Sequence, residues 1–291
     1  MDASNTSSVF KIMWREIYGD KLALAGFILF TLIVATVYVW AAMIDPAEAG
    51  IVNLLNRNGA PAPGHILGFD SAGRDMLWQL ILSARVSFNI AFIVTFAGVA
   101  MGMLFGLVAG YYGGHVDNVL MRVLDFYAMV PTIMLVIVLV VTIPNYTVTT
   151  FIVLMIVLVT WQSTARLIRI KALQQGALDY VSASKTLGTP NIVIIFREVF
   201  PNLISIVTSN FTLQLAFNMG IETGLTFLGF GLPFGNPSLG RLVFYAAVPA
   251  NMLNRPWQWL PAALLIIIMM LCINFVGQAL NRAADAKKRT V

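Results

Sequence analysis

The sequence predicts an all-α integral membrane protein with six transmembrane helices. Three observations carry that prediction. Apolar residues make up 59% of the 291 and charged residues only 11%, with a mean hydropathy of +0.83; a water-soluble domain carries charge at about a quarter of its positions. Six stretches approach or exceed the roughly 20 apolar residues needed to cross a hydrocarbon core as a helix. Lys and Arg also gather on alternate loops, 13 on one side of those spans and five on the other, the asymmetry that marks the cytoplasmic side.

Taken in order, residues 1–21 form a cytoplasmic N-terminal segment in which Lys11, Arg15 and Lys21 precede the first span, Leu22–Ile44. That basic start imitates a signal peptide. The apolar run is too long for a signal h-region and no small-residue cleavage site follows, so the span is retained. The loop 45–85 lies outside, and its NRNGAPAPGHILGFDSAGRD run is rich in Pro, Gly and Asn, which predicts turns. The core, 86–281, holds spans at Val86–Gly110, Val119–Ile143, Val148–Ile168, Leu203–Met219 (extended to about 228) and Leu260–Leu280. The loop Phe230–Trp259 is outside and carries Pro233, Pro237 and Pro256. A re-entrant or surface-lying piece fits there, provided protein or water covers its backbone. The tail, 282–291, returns to the cytoplasm, giving both termini inside.

Much chemistry is excluded. One cysteine, Cys272, rules out an internal disulfide and a cysteine-built metal site; it reads as a small apolar residue facing lipid or a neighbouring helix. His65 and His115 lie in different loops and no HExxH occurs, so a zinc protease is excluded. Ser71 in GFDSAGRD lacks the GxSxG spacing of a nucleophile elbow. No GxxxxGK[ST] cradle exists, so ATP is not hydrolysed by this chain, and no cofactor is expected on it. The formal charge of +5 comes without a basic, aromatic-interleaved stripe, so nucleic acid is not a partner. The spans are nearly free of ionisable groups, which argues against a proton-driven carrier. A sodium-coupled carrier, using carbonyls at broken helices, stays open. Arg122, Asp125 and Arg166 sit near inner ends, the first two spaced for an i,i+3 pair. Glu222 is the one acid placed to border a translocation path or the rim of the bundle. Gly98, Gly102, Gly106 and Gly110 fall on one helix face and predict close approach of a second helix.

One stretch contradicts the greasy surroundings. Asp179–Asn202, DYVSASKTLGTPNIVIIFREVFPN, is polar and carries charges of both signs. Asp179 is expected to N-cap a short helix. Gly188 with Thr189-Pro190 stops it. A second helical stretch, Asn191–Phe200, ends at Pro201 ahead of the fifth span. Hydropathy alone leaves two readings, an interfacial helix lying on the membrane or a helix held in water by a partner.

The segment resembles the EAA loop of ABC importer permeases: E-A-A, three residues, Gly, nine residues, Ile-x-Leu-Pro. Ser182-Ala183-Ser184 stands at E-A-A, and Gly188 and Pro201 match in spacing, while Glu198 replaces Ile and Phe200 replaces Leu. Asp179-Tyr180-Val181 fits the peptide branch, where Y-V-x-A-A is usual. Three further elements are similar to the second permease of dipeptide, oligopeptide and nickel importers. LGFDSAGRDMLWQLILSARVS resembles LGTDxxGRDxxSRxxxGARxS, with Phe69 for Thr and Trp78-Gln79 for Ser-Arg. GYYGGHVDNVLMRVLD, Gly110 to Asp125, fits GYxGGxxDxxxMRxxD, and ETGLTFLGFGLPFGNPSLG resembles ExxLSFLGLGxxPPxPSWG with Leu239 for Trp.

The resemblance implies a type I importer permease fold with a cytoplasmic coupling helix between spans 4 and 5. It implies an inner-membrane protein of a prokaryote that pairs with a homologous second permease, two ATPase subunits and an extracytoplasmic peptide-binding protein. ATP and Mg would sit on those ATPase partners. Asp179, Tyr180, Val181, Ser182, Ala183, Ser184, Lys185, Gly188 and Pro201 would form the coupling loop. The cargo implied is a dipeptide or oligopeptide, with nickel or another small solute as the alternative.

Overall fold

The spans form because apolar runs of this length satisfy their backbone polar groups internally only as helices. The computed structural model describes residues 12–289, with side chains to residue 284. The first eleven residues of the predicted N-terminal segment and the last two of the tail lie outside the described residues. Among the described residues only two isolated antiparallel bridges, Ala62 with His65 and Phe69 with Asp75, interrupt an otherwise helical and looped chain.

A helix over 12–19 (α1) leads into α2, Lys21–Met43. Asp20 caps α2 by accepting from the Leu22 and Ala23 amides at 2.9 and 3.2 Å, the side-chain device that satisfies orphan N–H groups. The next span, α3, runs Met76–Tyr112, ten residues longer at its start than the apolar pattern suggested. Asp75 caps it through the Leu77 and Trp78 amides. Met76, Ile81, Leu82 and Ala84 are buried in the main core, so packing draws the preceding run, MLWQLILSAR, into the helix.

The third predicted span is corrected. It is two helices, α4 (Gly114–Met129) and α5 (Thr132–Thr142), bent by 73°. Pro131 lacks an N–H and forces Val130 into an extended conformation (φ −91°, ψ 128°), so the helix stops there. α6, Val148–Gly176, opens on a capping box between Thr147 and Thr150 and carries a wide turn at Ile156–Thr160. The short α7, Asp179–Thr186, follows.

The predicted break at Pro201 is also corrected: Asn191–Phe227 is one helix, α8, with Pro201 inside it. A wide turn at Ile195–Val199 lies immediately upstream. Local loosening of that kind accommodates the proline ring and its missing donor. The loop beyond α8 contains α9, Leu239–Phe244, and α10, Pro249–Asn254, and the chain finishes in α11, Leu260–Arg289.

Among the described residues, five helices are long and apolar enough to cross a membrane, and the bent α4–α5 pair makes a sixth crossing if taken as one. The contact of Arg282 with Asp20 brings the start of α2 and the end of α11 to the same end of the bundle, as an even number of crossings requires. The predicted glycine face is the seam between α3 and α6. A Cβ on Gly102 would stand 2.5 Å from the Trp161 carbonyl oxygen, and one on Gly110 would stand 2.5 Å from that of Arg169. Only glycine lets two backbones approach so closely. Cys272 is buried and faces α2, where a Cβ on Gly26 would lie 3.1 Å from its carbonyl oxygen.

Candidate functional site

α7 begins at Leu178, which takes the N-cap position with an extended backbone. Asp179 is the first helical residue and makes no capping hydrogen bond, so the expected N-cap is corrected by one position. Its charge still lies in the first turn, where it complements the helix dipole. The stop is as expected. Gly188 has φ +78°, the Thr189 amide donates to the Ser184 carbonyl at 3.1 Å, and the Gly188 amide donates to that of Lys185 at 3.0 Å. Those two bonds close a Schellman motif, and only a residue at ease with positive φ suits the Gly188 position.

Four side chains hold α7 to the bundle. Val181 is completely buried in a cluster with Leu107, Ile168, Ile194, Val199 and Leu203. Tyr180 donates to Gln175 at 2.8 Å and accepts from Asn202 at 3.3 Å, and burial pushes its phenol above its ordinary pKa. The Lys185 ammonium lies 4.7 Å from the centroid of the Tyr111 ring, a cation–π contact. Ser184 donates to Glu198 at 2.6 Å.

The outward face carries Asp179, Ser182, Ala183, Thr186 and Gly188, with Leu187 84% exposed at its end. Leu187 escaped the sequence reading, although an apolar residue beside a helix-stopping glycine is a signal for a knob. Pro201 does not share this face; it sits half-buried in α8, away from the other predicted loop residues. The arrangement leaves a short, mostly polar helix with an exposed face at the end of the bundle that also holds Asp20 and Arg282.

Two ion pairs brace the helices behind α7. Arg169 on α6 makes a two-pronged contact with Asp117 on α4, a pair the sequence reading missed. The expected pairing of Arg122 with Asp125 is corrected: Asp125 pairs with Arg166 at 3.2 Å, and Arg166 also donates to the Leu124 carbonyl at 3.1 Å. Helix packing wins over the local i,i+3 spacing.

Glu222, expected at a path or rim, is closed off from the surface of this chain. It is 1% exposed, with Ser238 donating at 2.9 Å and Thr226 at 3.2 Å to one oxygen. The Leu239 amide donates to Ser87 nearby at 3.1 Å, so this buried knot seats α9 against α3 and α8. At the same end, Asp70 accepts from the Ala72 and Arg74 amides at 2.8 and 2.9 Å, from the Arg74 side chain at 2.7 Å and from Tyr245 at 3.2 Å. Burial, then the Asp70 charge, pushes the Tyr245 phenol up and keeps it a donor. Asp70 therefore serves the fold of the loop. No group of three or more His, Cys, Asp or Glu side chains among the described residues is arranged to hold a metal ion.

Residues 102–290 match the family model described as "Binding-protein-dependent transport system inner membrane component". The chain is 41% identical over 287 residues to the oligopeptide transport system permease protein OppC of Lactococcus lactis subsp. cremoris, covering 98% of this chain and 97% of that one. It is 30% identical over 292 residues to OppC of Bacillus subtilis, covering 99% and 94%. The dipeptide transport system permease protein DppC of the same organism is 30% identical over 277 residues, covering 95% and 85%. A chain of the MetNI methionine ABC transporter superposes with a TM-score of 0.54 at 17% identity, over 72% of this chain and 97% of that chain, a likeness of fold. With α7, the glycine seam and the bent third crossing in place, the chain belongs to the family of binding-protein-dependent transport system inner membrane components.

Proposed function

We propose that this chain is a transmembrane permease subunit of an ATP-driven importer that moves dipeptides or oligopeptides delivered by an extracytoplasmic binding protein. The observation that carries the proposal is α7, a capped polar helix with one buried anchor, Val181, and an outward face free for a partner. A merely interfacial helix would lay its apolar face on lipid, whereas α7 turns its apolar side chain into the bundle. The peptide cargo rests on the permeases of oligopeptide and dipeptide systems to which the chain is similar.

In this reading α7 docks on an ATPase subunit in the cytoplasm, with both termini on that side and the Asp70 and Glu222 ends facing out. A homologous second permease completes the path, and two ATPases hold the ATP and Mg. Closure of the ATPase pair moves α7, and Val181, Ser184 and Tyr180 carry the motion into α6 and α8. The glycine seam makes α3 follow α6. The bundle then rocks between two packed states, and the partner shifts their balance only as far as its affinities for the two differ.

The test is purification of the tagged chain from its native membrane in mild detergent, with identification of its companions and peptide uptake by the reconstituted complex. Recovery of ATPase subunits and a second permease, with ATP-dependent peptide uptake, is expected. A chain that purifies alone and transports in vesicles without any ATPase would instead be a sodium-coupled carrier.

A further inference from the structure

Ser163 lies near the middle of α6, about 20 Å from either end at a rise of 1.5 Å per residue. Gln214 lies about 20 Å before the end of α8. The Gln214 side-chain amide donates to the Ser163 hydroxyl at 2.6 Å, and this bond is exposed on the surface of the chain. Neighbouring positions continue the same face. Asn210, one turn before Gln214 on α8, donates to Thr164 at 2.9 Å and is only partly covered. Phe217, three residues after Gln214, is exposed. Arg166, three residues after Ser163, forms its pair with Asp125, and those side chains are 45% and 53% exposed.

An open amide in the middle of membrane-spanning helices cannot face acyl chains, because it would lose water without gaining a full set of partners. The contrast within the same bundle is instructive. The Asn218–Thr95 pair is closed off between α8 and α3, out of reach of anything outside the bundle. The Ser163–Gln214 pair, one turn away along α8, is open, so water or a polar chain must cover it. Its chemistry says which polar chain. Gln214 keeps a free carbonyl acceptor, and Ser163 keeps a hydroxyl proton to donate. Together they match the C=O and N–H of a peptide group without reading any side chain. Phe217 offers an apolar surface beside them.

We propose that the face formed by Ser163, Asn210, Gln214 and Phe217, leading to Arg166 and Asp125, is the wall of the aqueous path and holds the backbone amides of the passing peptide. This rests on the transport reading above and adds to it the residues that touch cargo. It accounts for sequence-tolerant passage, since hydrogen bonds to the backbone are shared by every peptide.

The test uses the complete reconstituted complex with its binding protein. Cys272→Ala removes the native thiol, and Ser163→Cys or Ile267→Cys introduces one at a polar or an exposed apolar position. The probe is a membrane-impermeant methanethiosulfonate carrying a trimethylammonium group. Ser163→Cys is expected to react about tenfold faster than Ile267→Cys, because only a hydrated thiol ionises. An alanine pentapeptide supplied during turnover should slow that reaction, and Gln214→Ala should lower pentapeptide uptake about three- to tenfold at unchanged assembly. A Ser163→Cys as inert as Ile267→Cys, in vesicles that still take up peptide, would overturn the wall. Fast labelling that the pentapeptide leaves unchanged would overturn the peptide contact. Failure of the Cys272→Ala parent to take up peptide sinks the transport reading itself, and is scored separately from labelling.

Discussion

The Ser184 hydroxyl donates a 2.6 Å hydrogen bond to one oxygen of Glu198, tying α7 to the first turns of α8 across 14 residues of chain. The EAA pattern that this segment resembles has an alanine and an isoleucine at those two places. Here both are polar, and they meet. The other Glu198 oxygen is buried without a hydrogen-bond partner among the described residues, so Ser184 is the contact that compensates its burial.

Removing Ser184 alone should therefore harm more than removing both groups. Ser184→Ala strands a part-buried acceptor, at a cost towards the low end of about 1–3 kcal/mol. Ser184→Ala with Glu198→Ile restores an apolar pair and should recover most of that loss. Thermal unfolding of the four members of this cycle measures the coupling. Strictly additive losses would mean that the bond contributes nothing beyond its parts.

The outward face of α7 can be altered with little strain inside the chain. No atom lies within 4 Å of a Cβ built at Gly188, and Asp179 is exposed with no capping bond. Asp179→Lys combined with Gly188→Trp should insert and fold, the positive φ at Gly188 costing about 1–2 kcal/mol. Transport should be abolished because the ATPase contact is lost. Co-purification of the ATPases and uptake are the readouts, and normal uptake refutes the docking role.

Along the α3–α6 seam, Gly102→Ala should lower the unfolding temperature of the detergent-solubilised chain, because its methyl would meet the Trp161 carbonyl at 2.5 Å. Backbone cannot rotate away as a side chain can. Gly224→Ala on α8 has nothing within 4 Å and is the control. It should be neutral or stabilising by up to about 1 kcal/mol through helix propensity. Equal effects at the two positions would remove the seam as a close contact.

Asp117 and Arg169 join α4 to α6 with Asp117 buried. Arg169→Ala leaves that carboxylate unpaired and should cost about 2–4 kcal/mol, somewhat under a fully buried pair since the guanidinium is partly exposed. Exchanging the two residues should recover part of the stability, read as the yield of monodisperse protein. No recovery would show that position, rather than charge, decides.

What the sequence determined by itself is whatever depends on a short window of chain. The length and apolarity of the spans are local properties, since hydrocarbon imposes its thickness on each segment separately. The stop at Gly188 and the small-residue face of α3 are local too, one set by backbone freedom and the other by a four-residue spacing. Pro131 was also a local signal, and its kink was readable in principle from the missing donor.

The tertiary structure decided the rest, because those features depend on residues far apart in the chain. Met76–Arg85 is helical because a distant core covers it, and Pro201 stays within α8 because a wide turn upstream accommodates it. Asp125 turns to Arg166, 41 residues away, and Asp117 turns to Arg169, 52 residues away. Glu222 looked like a lone acid at the membrane rim until Ser238, 16 residues on, came back to cover it. A buried charge or amide takes the partner that packing brings to it, and packing is settled only when all the helices are in place.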